Sequence, residues 1–559
     1  MFPSSVSSGI LGLLFVTLGA ASASRAAAAA TPAPDQVVRL PSFVVEAEGP
    51  YTPWRQATVP GFEIISRSPD GLTKDFLEGL HRALTRLEAF IPAEFQGAHT
   101  LPYTVLLADP TTMPGMAAGT AAGKDETIAA ENLRFLADLR LDDPDSSTVF
   151  VLLDEREIAD RMFAEMRKGS SLMQVTAQTT PERVPVLLAP GYIRGLLRRR
   201  TPALPEWVVV GLSRLAESAT FAGNSIQFPA MKDDLPDSWK QAGSALSSFP
   251  PLAELFAGPP TGEENKIERG AQWNAEATLL VRCWLDGSEA QRKKFWNFVS
   301  RAATEPATES LLKESLGLDY AAMTKRLADY VPRASRWPFS VDVRGMPRAP
   351  APRLRDATKA EEARVRVEWE RLRVKYIQSR FPLLGPKYVD EADRALTRSL
   401  AAGAGDPAFE GVLGLFYLDT KRPEKAGEHL EAASQSGAVR SRVLLELALL
   451  RFIAAARPGE LLGPEATRSI MAPLERADRQ LPSLSAVYHL AAETMQRSST
   501  PPTAAQLAML REGVRLAPRD ADLRYATLRL FTAQGHSAEA TILAQEGRQF
   551  TPSDERFRQ

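Results

Sequence analysis

Residues 187–228 read LLAPGYIRGLLRRRTPALPEWVVVGLSRLAESATFAGNSIQF. Two apolar stretches of helical character flank a basic, proline-containing loop. The first carries Tyr192, Leu196 and Leu197, and the second opens after Pro205 and carries Trp207, Gly211 and Leu212. Read on residues alone, this is a helix–loop–helix. It contains no histidine. The chain has five, His81, His99, His429, His489 and His536, and no two of them stand in an H-x-x-x-H spacing.

The stretch resembles the active-site segment of gluzincin metallopeptidases, in particular the peptidase-MA-like group. There a helix bearing H-E-x-x-H and an aliphatic run leads through a short basic loop to a second helix reading roughly P-x-W-x-x-E-G-L-A. Pro205, Trp207, Gly211 and Leu212 keep the second half of that frame. Tyr192, Leu196 and Leu197 keep the aliphatic part of the first. The resemblance sets Pro190, Gly191 and Arg194 where His, Glu and His would stand, and Val210 where the third ligand would stand. A catalytic zinc needs three N or O ligands and an open site for water. H-E-x-x-H supplies two of them from one helix face, with the Glu as general base. Pro, Arg and Val cannot ligate zinc, and Gly191 cannot abstract a proton. The resemblance therefore implies a degenerate peptidase fold with no catalytic residues, no metal and no cofactor. Its former cleft, lined by Tyr192, Arg194 and Trp207, is the candidate peptide-binding site.

The resemblance continues over residues 271–331. A helix ends near Gly287, a second follows, and a turn at Gly317 leads to a last one. Both glycines are expected as left-handed stops at helix C-termini.

At 559 residues the chain is long enough for three or four domains. Its 44% hydrophobic and 24% charged content is that of a soluble globular protein. A formal net charge of −1 gives no reason to invoke nucleic acid or an anionic membrane. Arg198, Arg199 and Arg200 read as a solvated helix end. Residues 10–20 (ILGLLFVTLGA) followed by Ala21, Ser22 and Ala23 read as a signal peptide cleaved near Ala23. The expected destination is the periplasm or the exterior, with no transmembrane segment in the mature chain. Cys283 is the only cysteine, so no intrachain disulfide can form, and its apolar setting reads as core. Asp142, Asp143 and Asp145 lack the spacing of a calcium loop and read as a solvated turn. Phosphate-loop, serine-hydrolase and zinc-ribbon motifs are missing.

Upstream, residues 62–66, 103–108 and 148–153 read as strands, and 70–90 as an amphipathic helix with Phe76, Leu80, Leu84 and Leu87 on one face. Trp54 and Phe62 are expected in the core of this first domain. Residues 110–124 read as a loop. Residues 337–352 are Pro-rich and read as a linker, followed by a charged helix over 354–380 with Val365, Trp369, Leu372 and Tyr376 on one face. Downstream, DPAFEGVLGLFYLDTKRPEKAGEHLEAASQSG resembles a tetratricopeptide repeat. Leu413, Gly414, Tyr417, Ala426, Leu430 and Ala433 fall on its signature positions. The expected organisation is a signal peptide (1–23), an extension (24–60), a small α/β domain (61–155), a degenerate gluzincin-like helical domain (156–335), a linker with a bridging helix (336–385) and four or five repeats (386–555). The fold class is thus an α+β N-terminal half with an all-α, tetratricopeptide-like solenoid behind it.

The function these readings imply is a non-catalytic exported pseudo-metallopeptidase whose repeats bind a protein or peptide in the cell envelope. Two alternatives stay open. One is a hydrolase with a carboxylate metal site built from Glu182, Glu206 and Glu217. The other is a purely structural envelope protein.

Overall fold

The first sheet begins at residue 55. β1 (Arg55–Val59) and β2 (Phe62–Ser66) form a hairpin through Pro60 and Gly61. α1 (Asp70–Phe90) then crosses over to β3 (Tyr103–Ala108), which lies parallel to β2, and β4 (Thr148–Leu152) lies parallel to β3. In the computed structural model, residues 53–96, 100–108, 148–152, 189–222, 225–240, 249–260, 266–343, 353–436, 439–551 and 554–557 are described. The signal segment, most of the extension, the 110–124 loop, Asp142, Asp143, Asp145 and Glu182 lie outside them.

Period-two alternation splits the sheet residues between two layers. Phe62, Ile64, Val105 and Leu107 face the core that contains Phe76, Leu80 and Leu84 of α1. Ile65 and Leu106 face the other way, and what covers them comes from far along the chain. Val365, Trp369 and Leu372 pack on them, with Trp54 at the margin.

After the sheet come α2 (Ala189–Arg198) and α3 (Glu206–Ser218), then the short strands β5 (Thr220–Ala222) and β6 (Ser225–Phe228). Next are α4 (Asp237–Lys240), α5 (Leu252–Ala257), α6 (Lys266–Leu285), α7 (Glu289–Thr304), α8 (Glu309–Leu316) and α9 (Tyr320–Arg336). β7 (Phe339–Asp342) returns to pair antiparallel with β6, so the segment read as a linker begins with a strand. Arg282 of α6 secures this return. It donates to the carbonyls of Pro229 (2.5 Å) and Trp337 (2.7 Å), beneath the Phe339 ring.

Gly317 takes φ 75° as the left-handed cap of α8, as the sequence suggests. Gly287 does not adopt that conformation. It is needed for space: a Cβ there would lie 2.6 Å from Gln291 Oε1, the side chain that closes the Ser288 capping box of α7. The turn is made by the cap of the next helix rather than by a left-handed stop.

The helix read as a bridge does more than bridge. β8 (Arg355–Asp356) adds to the free edge of β1, giving the sheet order β4-β3-β2-β1-β8. α10 (Lys359–Arg380), opened by a Thr358–Glu361 capping box, lies over the sheet and also pairs with α11 (Gly385–Gly403). Four further helical hairpins stack on that pair: α12 (Pro407–Asp419) with α13 (Pro423–Ser434), α14 (Ser441–Ala455) with α15 (Pro464–Asp478), α16 (Ser485–Gln496) with α17 (Ala504–Leu516), and α18 (Ala521–Ala533) with α19 (Ser537–Phe550). The array of helix pairs thus begins at α10, upstream of residue 386, with five pairs. Residues 51–559 form one compact unit. No helix among the described residues is long and apolar enough to cross a membrane.

Two outcomes follow from this packing. Trp369→Ala should remove about 3–5 kcal/mol, as for other buried Trp truncations. Denaturant melts should then show the sheet and the helix pairs losing structure together. His489, on α16, bonds Asp520, the N-cap of α18, and that bond raises its pKa above 6.5. The pair's stabilisation is full below the unfolded-state value of about 6.5 and lost as pH rises through the raised folded value. His489→Gln should flatten this pH dependence, measured by thermal melts across the neutral range.

Candidate functional site

The α2–loop–α3 segment folds back on itself as a hairpin closed by two ion pairs. Arg194 Nη2 donates to Glu217 Oε1 at 3.2 Å, linking α2 to the last turn of α3. Arg198 donates to Glu206 Oε1 at 2.6 Å in the first turn of α3. The position the resemblance reserves for a second metal ligand is thus taken up in a cation–carboxylate contact. The backbone of Pro190, Gly191 and Tyr192 is in α2, while their side chains lie outside the described residues. Val210 is half-buried against the core.

Trp207 does not line a cleft. It is 1% exposed and stacks on Phe298 (5.7 Å between centroids), with Phe256 at 5.4 Å and Phe295 at 6.4 Å. Its Nε1 is buried without a hydrogen-bond partner. The aromatic box comes from α5 and α7, so Trp207 is a packing residue that joins three helices. Gly211, one turn on, allows the close crossing of α6: a Cβ there would sit 2.6 Å from both Ala277 O and Val281 Cγ2. The frame's Trp and Gly are therefore explained by helix packing alone.

Glu206 and Glu217 cannot share a metal. They are eleven residues apart on one helix, about 16 Å along its axis, and each is committed to a different arginine. Among the described residues, no group of three or more His, Cys, Asp or Glu side chains could hold a metal ion. His429 bonds Glu410 (2.6 Å) and stacks on Tyr417, His489 bonds Asp520, and His536 packs on Phe531.

The basic loop is not a solvated helix end. Arg199 is buried, with its guanidinium 3.7 Å from the centroid of the Tyr103 ring. Arg200 donates to Glu94 O (3.0 Å) and Pro202 O (2.7 Å) over the Phe95 ring, and burial lowers its pKa. From the other side, Arg519 donates to Ala203 O (3.0 Å) and to Ala302 O in the last turn of α7. Burial without a carboxylate partner lowers the Arg519 pKa to about 10. Ala203 N also donates to Leu516 O at 2.9 Å. The loop is thus clamped between the sheet and the helix pairs. Nothing in the sequence distinguishes Arg519, which reads as one more charged residue between two helices.

No family model, curated protein or solved structure matches this chain.

The signature positions of the helix pairs are packing positions. Leu413, Tyr417, Ala426, Leu430 and Ala433 are all buried. Gly414 gives room for Leu430, whose Cδ2 would lie 2.7 Å from a Cβ at that position. Cys283 is buried too, and desolvation raises its thiol pKa.

One buried ionisable group was not singled out by sequence. Glu276, on α6, is 1% exposed, and its Oε1 has no hydrogen-bond partner among the described residues. Burial, with a smaller contribution from Glu254, pushes its pKa up to about 8. It is a neutral acid at pH 7. An aliphatic context, AEATLLV, hides it among residues that read as core.

The folded state holds the Glu276 proton up to about pH 8, whereas the unfolded chain releases it near pH 4.3. Stability should therefore fall between these values and level off above them. Glu276→Gln should remove that slope and stabilise the protein at pH 9 by on the order of 4–5 kcal/mol at most, as read from urea melts at pH 5 and pH 9. Arg194→Gln should cost about 1 kcal/mol or less, as expected for a partly exposed ion pair, and should leave the circular dichroism spectrum unchanged.

Proposed function

We propose that this chain is a non-catalytic, exported pseudo-metallopeptidase. In this reading a degenerate gluzincin-like domain has kept its packing and lost its chemistry. The helix pairs of the C-terminal half are tetratricopeptide-like repeats that act as a binding scaffold for a protein or peptide partner in the cell envelope.

The observation that carries the reading is the Arg194–Glu217 contact. A fixed guanidinium where a metal ligand would stand repels a cation and ties up the nearest carboxylate. Trp207 and Gly211, the frame's retained residues, serve packing. The repeat assignment is supported by small residues meeting large ones between paired helices, Gly414 against Leu430 above all. Stacked pairs of this kind expose long surfaces suited to extended ligands. The N-terminal apolar stretch with its Ala-Ser-Ala site supports export. The hydrolase alternative built on Glu206 and Glu217 is disfavoured by their separation along α3.

Elemental analysis of the purified protein beside a casein-cleavage assay tests this reading. The expected result is no stoichiometric zinc and no cleavage, both unchanged when zinc is supplied in excess and removed by dialysis. One tightly held zinc per chain, or cleavage abolished by a chelator, would overturn it.

A further inference from the structure

Between the C-terminal ends of α16 and α18 lies an open pocket of about 560 Å³. Its apolar floor is Pro501 and Ala533, both exposed, since Met495 and Leu530 also line it but are almost fully buried. Its polar rim includes Arg497, Ser499, Arg529 and Gln534. No carboxylate lines it. Glu493, one turn before Arg497 on α16, is not among the lining residues. The volume falls in the range of sites that hold small organic ligands.

The rim is rich in donors. Arg497 spends one N–H on the Arg457 carbonyl (2.7 Å) and lies over the Phe452 ring, which leaves most of its guanidinium donors unused. Arg529 is exposed and reaches no carboxylate or carbonyl among the described residues. The backbone that carries Arg497 and Ser499 is braced. Ser499 N donates to Leu462 O (2.9 Å), and Leu462 N donates to Arg497 O (2.6 Å).

Two helix C-termini also point here, and their partial charges oppose an anion. Each amounts to roughly half a negative charge, so the two together cancel about one of the two guanidinium charges. The last carbonyls are partly spent as well: Arg497 N takes those of Glu493 and Met495, and Gln534 N those of Leu530 and Thr532. A net positive charge of about one unit remains over an apolar floor. We propose that this pocket binds a small organic anion, with its carboxylate or phosphate oxygens held by Arg497 and Arg529 and its carbon skeleton on Pro501 and Ala533. The site is independent of the peptidase frame, and the inference stands whether or not the repeats bind peptides.

Isothermal titration of the full-length protein with inorganic phosphate, with acetyl-trialanine and with acetyl-trialanine amide tests it. Hydrogen exchange over residues 495–501 and 529–534 would be followed in parallel. Saturable binding is expected for phosphate or for the free-acid peptide, weakening with salt, with added protection confined to those two segments. Binding of phosphate alone assigns a phosphate-bearing ligand, and binding of the free-acid peptide alone assigns a carboxylate. Arg529→Gln should weaken binding about tenfold, or about 1.4 kcal/mol, with an unchanged melting temperature. Three results would overturn the proposal: no binding of either anion at millimolar concentration, equal binding of the peptide amide, or unchanged affinity in Arg529→Gln.

Discussion

The structure depends on α10 having two buried faces. One, with Val365, Trp369 and Leu372, seals the sheet, and the other, with Ala363, Val367 and Val374, seats the helix pairs. Most amphipathic helices bury one stripe and solvate the rest. Here the seams between the two faces carry charges that are buried or half-buried, and these charges are paired. Arg371 joins Glu368 (2.8 Å) to Asp419 of α12 (3.0 Å), Arg373 pairs with Glu370 (2.8 Å), and Arg364 reaches Glu63 of β2 (2.6 Å). Burial pushes the Glu370 pKa up. Such pairs add little net stability because desolvation offsets their attraction. They do penalise any other register of α10 between its two neighbours, since a shifted helix would strand a buried charge.

The α2–loop–α3 segment is the second joint. Its arginines grip the first domain through Tyr103, Glu94 and Phe95. Arg519 of the repeat half grips its loop from behind. The same loop, in a working peptidase of the resembled type, would connect a ligand-bearing helix to the helix of the third ligand. In this chain it transmits packing between two halves. An arginine whose hydrogen bonds among the described residues all go to carbonyls is costly to ionise in place, and Arg519 acts here by position rather than by charge pairing.

Much of this was legible in the sequence. The short apolar runs at 62–66 and 103–108 mark β2 and β3, and the apolar spacing of 70–90 marks α1. The small-and-large pattern of residues 413–433 marks the α12–α13 hairpin. Other features were hidden for identifiable reasons. α10 looks like a charged helix with one apolar face because its second buried stripe, Ala363, Val367 and Val374, is interleaved with charges. Arg199 and Arg200 look solvated because the rings that cover them, Tyr103 and Phe95, lie about a hundred residues away in sequence. Trp207 looks like a cleft residue because its aromatic box is assembled from α5 and α7. Gly287 looks like a left-handed stop because composition cannot distinguish a residue needed for its φ from one needed for its size.

The central claim is that the α2–loop–α3 segment serves as a structural joint between the two halves. Native-state hydrogen exchange of the full-length protein tests it most directly. The slowest amides of α3, around Gly211 and Leu212, should open with the same free energy as those of α10 and α18, at the level of global unfolding. Exchange of α3 through a local opening of clearly lower free energy, with α10 and α18 still protected, would contradict the account and mark the frame as an independent, mobile unit.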